Sequence, residues 1–403
     1  MMEKIAHHPV HTGASRWDRI IPSMQRLIDA GDFPGFSMLV YRRGEVLYDE
    51  VIGSMDLEAG RPLRKETIFR MYSQTKPVAC TALLMLFEEG RFLLDDPVSR
   101  YIPAFAKVKV FAGMNLEGIR LVDPERPMTI RHLFTHTSGL TYGFDPENPV
   151  DRLYARAGLL DLVGYGKMPL PEMMEKLAQL PLVNHPGAVY NYSMSHDVIG
   201  YLVSLLADMP FEDFLKERIF EPLGMDDTAF WVPPEKAGRF AALYTTSEDG
   251  KTTLADAPGA SILLKPPVAA LGGMGLVSTQ RDYLRFARLL LNGGELDGVR
   301  LLGPKTVELM RSNHLNPVQL ATMGTPERPN FGFGYGLGVG VLIDRGLNGA
   351  MRSNGSFGWG GAAGTEMVID PDEEMVLLIA TQRLYAPYQH SVLFQNLVYQ
   401  ALD

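Results

Sequence analysis

The chain has 403 residues, of which 46% are hydrophobic and 21% are charged, a net charge of −9 and one cysteine. This composition is typical of a globular protein that is long enough for two subdomains and a large core. The negative charge and the lack of a basic run argue against a nucleic-acid surface, and we find neither a membrane-span pattern nor a signal-peptide pattern.

The N-terminal part of the chain predicts a helix followed by two strands. Apolar residues recur at helical spacing from Trp17 to Ala30, and Gly31 ends the pattern. The sequence from Phe36 to Gly53 is typical of two strands joined by a turn at Arg42-Arg43-Gly44. We therefore expect a hairpin packed near an N-terminal helix.

The stretch from Arg70 to Gly90 places a serine and a lysine at the start of an apolar helix. Ser73 is the only serine in the chain that has a lysine, Lys76, three residues later. The run from Val78 to Glu89 is rich in Ala, Leu and Met and is followed by glycine, which predicts a mostly buried helix. Because residues three apart on a helix share a face, the hydroxyl and the amine can meet.

This pair suits nucleophilic catalysis. A serine hydroxyl becomes an effective nucleophile when a base accepts its proton. A free lysine, with a pKa of about 10.4, is a poor base at neutral pH, but burial lowers the pKa of an amine. Ser73 and Lys76 are therefore candidates for a nucleophile and its base. The alternative is that Ser73 caps the helix and Lys76 is a surface charge.

The middle of the chain, from Arg70 to about residue 265, is dominated by helix and loop patterns. Met128–Thr135 predicts a short helix, and residues 141–170, rich in Gly, Pro and Tyr, predict a long irregular segment that would shape the pocket. Further helices are predicted at Leu170–Leu180, His196–Ala207 and Phe211–Phe220.

Strand patterns return after about residue 265. The predicted elements there are a helix at Gln280–Leu291, a strand at Gly334–Ile343, a hairpin of Thr365–Asp370 with Met375–Thr381, and a helix from about Pro387 to Leu402. Strands at both ends with helices between them predict an α/β (α+β) fold. Residues 1–72 and 266–403 would form an antiparallel sheet flanked by helices, and residues 73–265 an inserted, mostly helical domain, with the active site at the junction.

Two later segments carry residues suited to a site of this kind. Pro186–Met194 is polar and aromatic, and either Tyr190 or Tyr192 could lend a phenol to proton transfer; the alternative is that both rings pack at the domain junction. Ser356–Thr365 is rich in glycine, which permits close backbone approach to a ligand, and its N–H groups could stabilise a developing oxyanion. The alternative is a tight sheet edge without a ligand.

Together, these segments resemble the penicillin-binding-protein/β-lactamase superfamily of serine hydrolases, in particular class C β-lactamases and family VIII carboxylesterases. The likeness extends over nearly the whole chain, and the order and spacing of the motifs carry it. The matching segments are Phe69–Lys76, Leu93–Val98, Leu133–Leu140, Pro186–Ser193 and Gly272–Gly275. The resemblance implies the β-lactamase/penicillin-binding-protein-like fold.

The resemblance also implies roles for individual residues. Ser73 would be the nucleophile that forms an acyl-enzyme, and Lys76 would be its base. Tyr192 would be the catalytic phenol, because Pro186-Gly187 precedes it at the usual distance for this family, and Tyr190 would be a packing ring.

The third motif of the family matches Trp359-Gly360-Gly361, so the backbone N–H groups of Ser73 and Ala362 would form the oxyanion hole. Two substrate-binding positions depart from class C lactamases: Met194 stands where they have asparagine, and Trp359 where they have lysine. Neither side chain can bind a substrate amide or carboxylate in the way those residues do. The departures favour neutral esters with short or medium acyl chains, with water releasing the acid from the acyl-enzyme.

Other functions remain as alternatives. A β-lactamase, a D-amino-acid peptidase or amidase, and an acyltransferase could use the same site, and a non-catalytic binding protein could use the same scaffold. The Gly-x-Ser-x-Gly signature is absent from the sequence, which argues against the nucleophile elbow of the α/β-hydrolases.

Histidines do not indicate a metal site. His132 and His136 lie four apart, but no glutamate follows His132, and the resemblance places His136 in a structural loop. His7, His8 and His11 are expected to be solvated. We therefore expect no metal and no cofactor.

The remaining expectations concern partners and location. We expect a small-molecule ester as the substrate, no nucleic acid and no membrane, and the sequence is compatible with a homo-oligomer. Cys80 falls within the predicted buried helix and is expected to pack rather than react, and a single cysteine excludes an internal disulfide. A reducing cytoplasm is the location expected for such a chain.

Overall fold

The computed structural model describes residues 15–116, 118–161, 165–247, 250–324, 330–385 and 389–402. His7, His8 and His11 lie outside the described residues, as does Pro387, the predicted start of the last helix. Within the described ranges, no helix combines the length and the hydropathy needed to span a bilayer.

An eight-stranded antiparallel sheet joins the two ends of the chain. From one edge to the other, its strands are Phe333–Tyr335, Gly340–Leu342, Phe357–Gly360, Glu366–Asp370, Met375–Ala380, Gly35–Arg42, Glu45–Asp56 and Arg61–Pro62. The junction between the N-terminal and C-terminal strands is a continuous ladder that runs from Ser37 opposite Ala380 to Arg42 opposite Met375. The predicted antiparallel sheet flanked by helices is confirmed, as are both predicted hairpins.

Helices cover both faces of this sheet. On one face, Met38 and Leu377 pack with the helices Ile20–Asp29 and Gln389–Ala401. The opposite face belongs to the main core and contacts the helix Gln280–Leu291, whose first turn is capped by the preceding threonine. Because successive side chains of a strand point to opposite faces of the sheet, the strands contribute to two separate apolar layers.

The remaining helices contribute to the main core, except Pro317–Met323, which belongs to a small separate cluster, and Arg345–Asn348, which has no buried residue. They are Thr75–Glu88, Ile130–Phe134, Pro149–Ala157, Leu170–Gln179, Ser195–Ala207, Phe211–Leu215, Glu221–Leu223, Pro304–Met310, Pro317–Met323 and Arg345–Asn348. Thr75–Glu88 and Ser195–Ala207 pack against each other, and nearly every residue of the first is buried. The helix predicted at Phe211–Phe220 becomes a π-helix over Lys216–Phe220.

Short strand pairs lie outside the large sheet, and the sequence patterns missed most of them. They are Phe69–Arg70 with Val277–Ser278, Val110–Asn115 with Gly118–Val122, Leu160–Asp161 with Tyr165–Gly166, Leu243–Thr246 with Thr252–Asp256, and Glu295–Leu296 with Val299–Arg300. Three of these pairs lie among the helices of the described part of residues 73–265, whereas Phe69–Arg70 with Val277–Ser278 is a buried pair of distant segments.

Two predicted elements were wrong. Residues 141–170 are not wholly irregular, because Asn148 caps a helix that begins at Pro149. The single strand predicted at Gly334–Ile343 is two strands that turn back on each other. Gly338 lies in that turn with φ +92°, where a Cβ would overlap Cys80 of the buried helix.

Candidate active site

The chain around Ser73 is fixed by the segment that follows Gly272. The Met71 N–H donates to the Leu276 carbonyl at 2.8 Å, and the Leu276 N–H donates to Thr75 Oγ1 at 3.1 Å. Tyr72, directly before Ser73, has φ +46°, which is strained for a non-glycine residue and costs about 1–2 kcal/mol. Ser73 thus projects from a tight turn that leads into the helix Thr75–Glu88.

Lys76 lies beneath this serine, inside the protein. Its side chain is fully buried, which overturns the alternative that it is a surface charge. Its Nζ lies 3.1 Å from Ser73 Oγ and donates to the Gly273 carbonyl at 2.7 Å. The rings of Tyr192 and Tyr142 face the amine, with centroids 4.6 and 5.2 Å from Nζ. The lysine is therefore held in one position between a carbonyl, two aromatic faces and the serine.

Tyr192 completes a cluster of three groups. Its hydroxyl donates to Ser73 Oγ at 2.8 Å and accepts a hydrogen bond from Trp359 Nε1 at 3.4 Å. Tyr190, by contrast, is buried in a small apolar cluster together with Tyr335. The structure therefore brings together the hydroxyl, the amine and the phenol, whereas Tyr190 lies in an adjacent cluster against which Tyr192 and Trp359 also pack.

The strand Phe357–Gly360 lies against the turn that carries Ser73. The Gln74 side chain donates to the Trp359 carbonyl at 3.3 Å. Gly361 is so close to Met71 that a Cβ would overlap the Met71 carbonyl oxygen. Only glycine fits this contact, which brings the backbone of Gly361 and Ala362 beside Ser73.

Met194 lies elsewhere. It was predicted to contribute to the substrate site, but it is 1% exposed, packs in the main core and is not among the residues that line the cavity beside Ser73. Its position immediately before the helix Ser195–Ala207 turns the side chain into the core. The prediction was wrong for this residue because a position in a motif does not determine the direction of a side chain.

Asp197 is a residue that sequence reasoning missed. It is fully buried, and its Oδ1 accepts the Gly273 N–H at 2.9 Å. Because the Gly273 carbonyl accepts a hydrogen bond from Lys76, the backbone of Gly273 links Asp197 to Lys76. Burial raises the pKa of Asp197 to about 6, and the charge of Lys76 opposes that rise. An acidic residue in the first turn of a helix was the only sequence signal, and it is typical of ordinary helices.

Two buried histidines support the tyrosine. His136 Nδ1 lies 3.2 Å from Ser193 Oγ, and its ring centroid is 4.6 Å from that of Tyr192. Burial, followed by the charges of His196 and Lys76, holds the pKa of His136 well below its usual value, so the ring is neutral. His132 instead belongs to a capping box at the preceding helix. The described residues contain no group of three or more His, Cys, Asp or Glu arranged to bind a metal.

A cavity of about 950 Å³ opens beside Ser73. Trp359 and Tyr192 form one wall, and Phe333 and Phe144 add further aromatic surface. The Trp359 ring meets Tyr335 edge to face, with centroids 5.0 Å apart and planes at 89°, so it is held in place. A nucleophile next to a large cavity with several aromatic side chains in its walls can accept an apolar acyl group.

Comparisons with known proteins agree with this geometry. Residues 20–399 match the sequence profile of the Beta-lactamase family. Esterase EstB of Burkholderia gladioli is 32% identical over 368 residues, which cover 87% of this chain and 86% of EstB. Monacolin J acid methylbutanoyltransferase of Aspergillus terreus is 31% identical over 328 residues, which cover 77% of this chain and 75% of that one.

Solved structures show the same fold. The structure described as EstCE1, a hydrolase with promiscuous acyltransferase activity, superposes with a TM-score of 0.80 at 27% identity and covers 95% of this chain and 98% of that one. Simvastatin synthase (LovD) of Aspergillus terreus also gives a TM-score of 0.80, at 26% identity, with 96% and 98% of the two chains covered.

Proposed function

This chain belongs to the β-lactamase family of serine hydrolases, and from that premise we propose that it is a carboxylesterase for short- and medium-chain acyl groups. One observation carries the proposal: Ser73 Oγ lies within hydrogen-bonding distance of both Lys76 Nζ, at 3.1 Å, and the Tyr192 hydroxyl, at 2.8 Å. The cluster opens onto the cavity and lies beside the strand Phe357–Gly360 of the large sheet.

In the first step, Ser73 Oγ attacks the ester carbonyl and its proton passes to Lys76 Nζ, which acts as the base. Because one amine N–H is donated to the Gly273 carbonyl, the lone pair can be directed at the serine. The resulting ammonium is stabilised by that carbonyl, by the faces of Tyr142 and Tyr192, and by the nearby Asp197 carboxylate.

The carbonyl oxygen becomes negative as the new bond forms. The backbone N–H groups of Ser73 and Ala362 are proposed to donate to it, and losing one such donor typically costs about 3–4 kcal/mol of transition-state stabilisation. The close approach of Gly361 to Met71 supports this assignment, because it brings the strand edge next to the nucleophile.

Collapse of the tetrahedral intermediate expels the alcohol. Tyr192 gives its phenolic proton to the leaving oxygen and then takes up the proton that Lys76 received from Ser73. A water molecule then attacks the acyl-enzyme, with the same two groups accepting its proton, and the acid is released. Ser73 regains its proton at the end of the cycle.

Trp359 favours an ester over a lactam. Its indole contacts the Tyr192 hydroxyl and forms an apolar wall of the cavity. A β-lactamase or a D-amino-acid peptidase is the rival within the same family. The ratio of kcat/KM for a p-nitrophenyl ester to that for a chromogenic cephalosporin separates them, and we expect the ester to be preferred.

Acyl transfer is a second candidate, because two of the compared proteins are named as acyl-transferring enzymes. The cavity of about 950 Å³ has room for an acyl group together with an acceptor alcohol. Adding a primary alcohol during ester cleavage tests this: a new ester product indicates transfer, and the free acid alone indicates hydrolysis.

The test of the proposed function is Ser73→Ala assayed with p-nitrophenyl butyrate. We expect turnover to fall by about 10⁴-fold or more, because the acyl-enzyme cannot form. Ser99→Ala, which removes a hydroxyl from a short surface turn, is the matched control and should retain activity. If Ser73→Ala kept wild-type turnover and a fluorophosphonate probe labelled another residue, the assignment would be wrong.

A further inference from the structure

Arg352 is a buried cation in the wall of the active-site cavity. It is 6% exposed, and it lines the same cavity as Ser73. Its guanidinium lies over the ring of Phe333 at 4.5 Å. Within the described chain we find no hydrogen bond and no ion pair to this guanidinium, and Nε is fully buried without a partner.

The nearest acidic groups are engaged elsewhere. Glu366 Oε1 accepts a hydrogen bond from the Gln395 side chain at 3.1 Å. Asp370 Oδ2 accepts from the Ser353 N–H at 2.9 Å and from the Tyr399 hydroxyl at 2.6 Å. Both carboxylates act on Arg352 only through their electric field, which opposes the lowering of its pKa by burial.

An arginine in such surroundings is expensive to bury, since its Nε–H donor has lost water and has gained no acceptor in return. The guanidinium of Arg352 therefore lacks a hydrogen-bond acceptor, which a ligand that enters the cavity would supply. A planar guanidinium pairs best with a carboxylate, through two parallel hydrogen bonds.

The charge around the site argues for a monoanion. Glu366 and Asp370 already carry negative charge near Arg352, and each further negative charge brought to the site is repelled by them. A carboxylate fits this balance better than a phosphate dianion does. One face of the guanidinium is covered by Phe333, so the ligand must approach along the edge that borders the cavity.

We propose that Arg352 binds a carboxylate group of the substrate, so that the preferred ester carries a carboxylate at a distance from the bond cleaved at Ser73. The proposal rests on the ester-cleaving function and narrows its substrate class. The reacting part of the substrate lies against Trp359 and Tyr192, which are apolar or uncharged, while the carboxylate lies at a separate part of the same cavity.

The test compares esters that differ only in a remote carboxylate. The substrates are p-nitrophenyl butyrate, which is neutral, the p-nitrophenyl monoester of glutaric acid, with a carboxylate on the acyl chain, and 4-(butanoyloxy)benzoate, with a carboxylate on the alcohol. Arg352→Gln should lower kcat/KM for at least one carboxylate ester by about 10- to 100-fold and leave the neutral ester within about twofold. Arg352→Lys should fall between these values, because it keeps the charge but loses the paired donors.

Arg345→Gln is the matched control, because it removes the same charge from the exposed neighbouring helix Arg345–Asn348. It should affect neither class of ester. Equal losses on all three esters for Arg352→Gln would show that the arginine is structural, and would overturn the proposal.

A measurement on the unmodified protein covers the case in which Arg352→Gln does not fold. Glutarate should inhibit cleavage of p-nitrophenyl butyrate competitively, and glutaramide, the neutral diamide of the same chain length, should inhibit it much less. Equal inhibition by both, or none by glutarate, would overturn the carboxylate site. If the carboxylate site is disproved but turnover still depends on Ser73, the proposed esterase function stands and only this proposal fails. If turnover is independent of Ser73, both proposals fail.

Discussion

The structure buries two cations close together in sequence, Arg70 and Lys76, and gives them different partners. Arg70 is 1% exposed, forms an ion pair with Asp256, donates to the Ala241 carbonyl at 2.7 Å and lies 4.0 Å above the ring of Phe240. Lys76 is fully buried as well, but no carboxylate forms an ion pair with it within the described ranges.

The difference separates a structural cation from the side chain that we propose as the base of Ser73. Arg70 joins the short strand before Ser73 to the segment around Asp256, and its charge is neutralised by direct contact. Lys76 is held by a neutral carbonyl and by aromatic faces instead of a carboxylate. The carboxylate of Asp197 is linked to Lys76 through Gly273: it accepts the Gly273 N–H, and the Gly273 carbonyl accepts from Lys76.

The largest expected effect comes from Lys76→Met, which removes the amine and keeps an unbranched apolar side chain. We expect kcat/KM for p-nitrophenyl butyrate to fall by about 10³-fold or more, because Ser73 loses its base. The free energy of unfolding should change by only about 1 kcal/mol, because the helix is apolar and Asp197 can take up a proton. Urea unfolding and ester kinetics on one preparation check both values.

The reverse pattern would contradict the comparison. If Lys76→Met unfolded the protein but the folded fraction cleaved esters normally, Lys76 would be the structural cation.

Arg70→Met should behave in the opposite way. We expect the free energy of unfolding to fall by about 3–5 kcal/mol, because Asp256 is left without its partner in a largely buried position. The fraction that remains folded should cleave esters with nearly unchanged KM, because Arg70 does not line the cavity. Unfolding in urea gives the first value and initial rates give the second.

The double variant Arg70→Met/Asp256→Leu is the control. It should recover much of the lost stability, because the unpaired charge is gone. A double variant no more stable than Arg70→Met would show that the ion pair is not the cause.

The same contrast explains what could be predicted from sequence. Ser73 and Lys76 lie within one turn of a helix, so local spacing was enough to bring them together. Tyr192 required the family resemblance, because no local rule connects it to Ser73, and its assigned role stays a prediction. The sheet was predictable because short apolar runs bounded by turn residues mark several of its strands at both ends of the chain.

Asp197 and Arg352 could not be found in this way. Asp197 reaches Lys76 only through the backbone of Gly273, a contact that depends on how two distant segments pack. Arg352 gives no sequence signal, because an arginine in a loop is usually exposed to solvent. The prediction for Met194 was wrong for a related reason, because the following helix enters the core and buries this side chain.

The smallest expected effect concerns Asp197 and the dependence of stability on pH. Burial raises the pKa of Asp197 in the folded protein to about 6, above the value of about 3.9 in an unfolded chain. A raised carboxyl pKa means that the folded state binds the proton more tightly. The stabilisation from this group is therefore complete below about pH 4 and is lost as the pH rises through about 6.

Asp197→Asn isolates this contribution, because asparagine stays neutral and its side-chain oxygen can still accept the Gly273 N–H. Relative to the wild type, the variant should gain about 2 kcal/mol of unfolding free energy between pH 4 and pH 7. Urea unfolding at several pH values measures this difference, with Asp208→Asn, at the exposed end of the same helix, as the control. A difference that is independent of pH would show that Asp197 is ionised throughout, and Lys76 would then have a counter-ion much as Arg70 does.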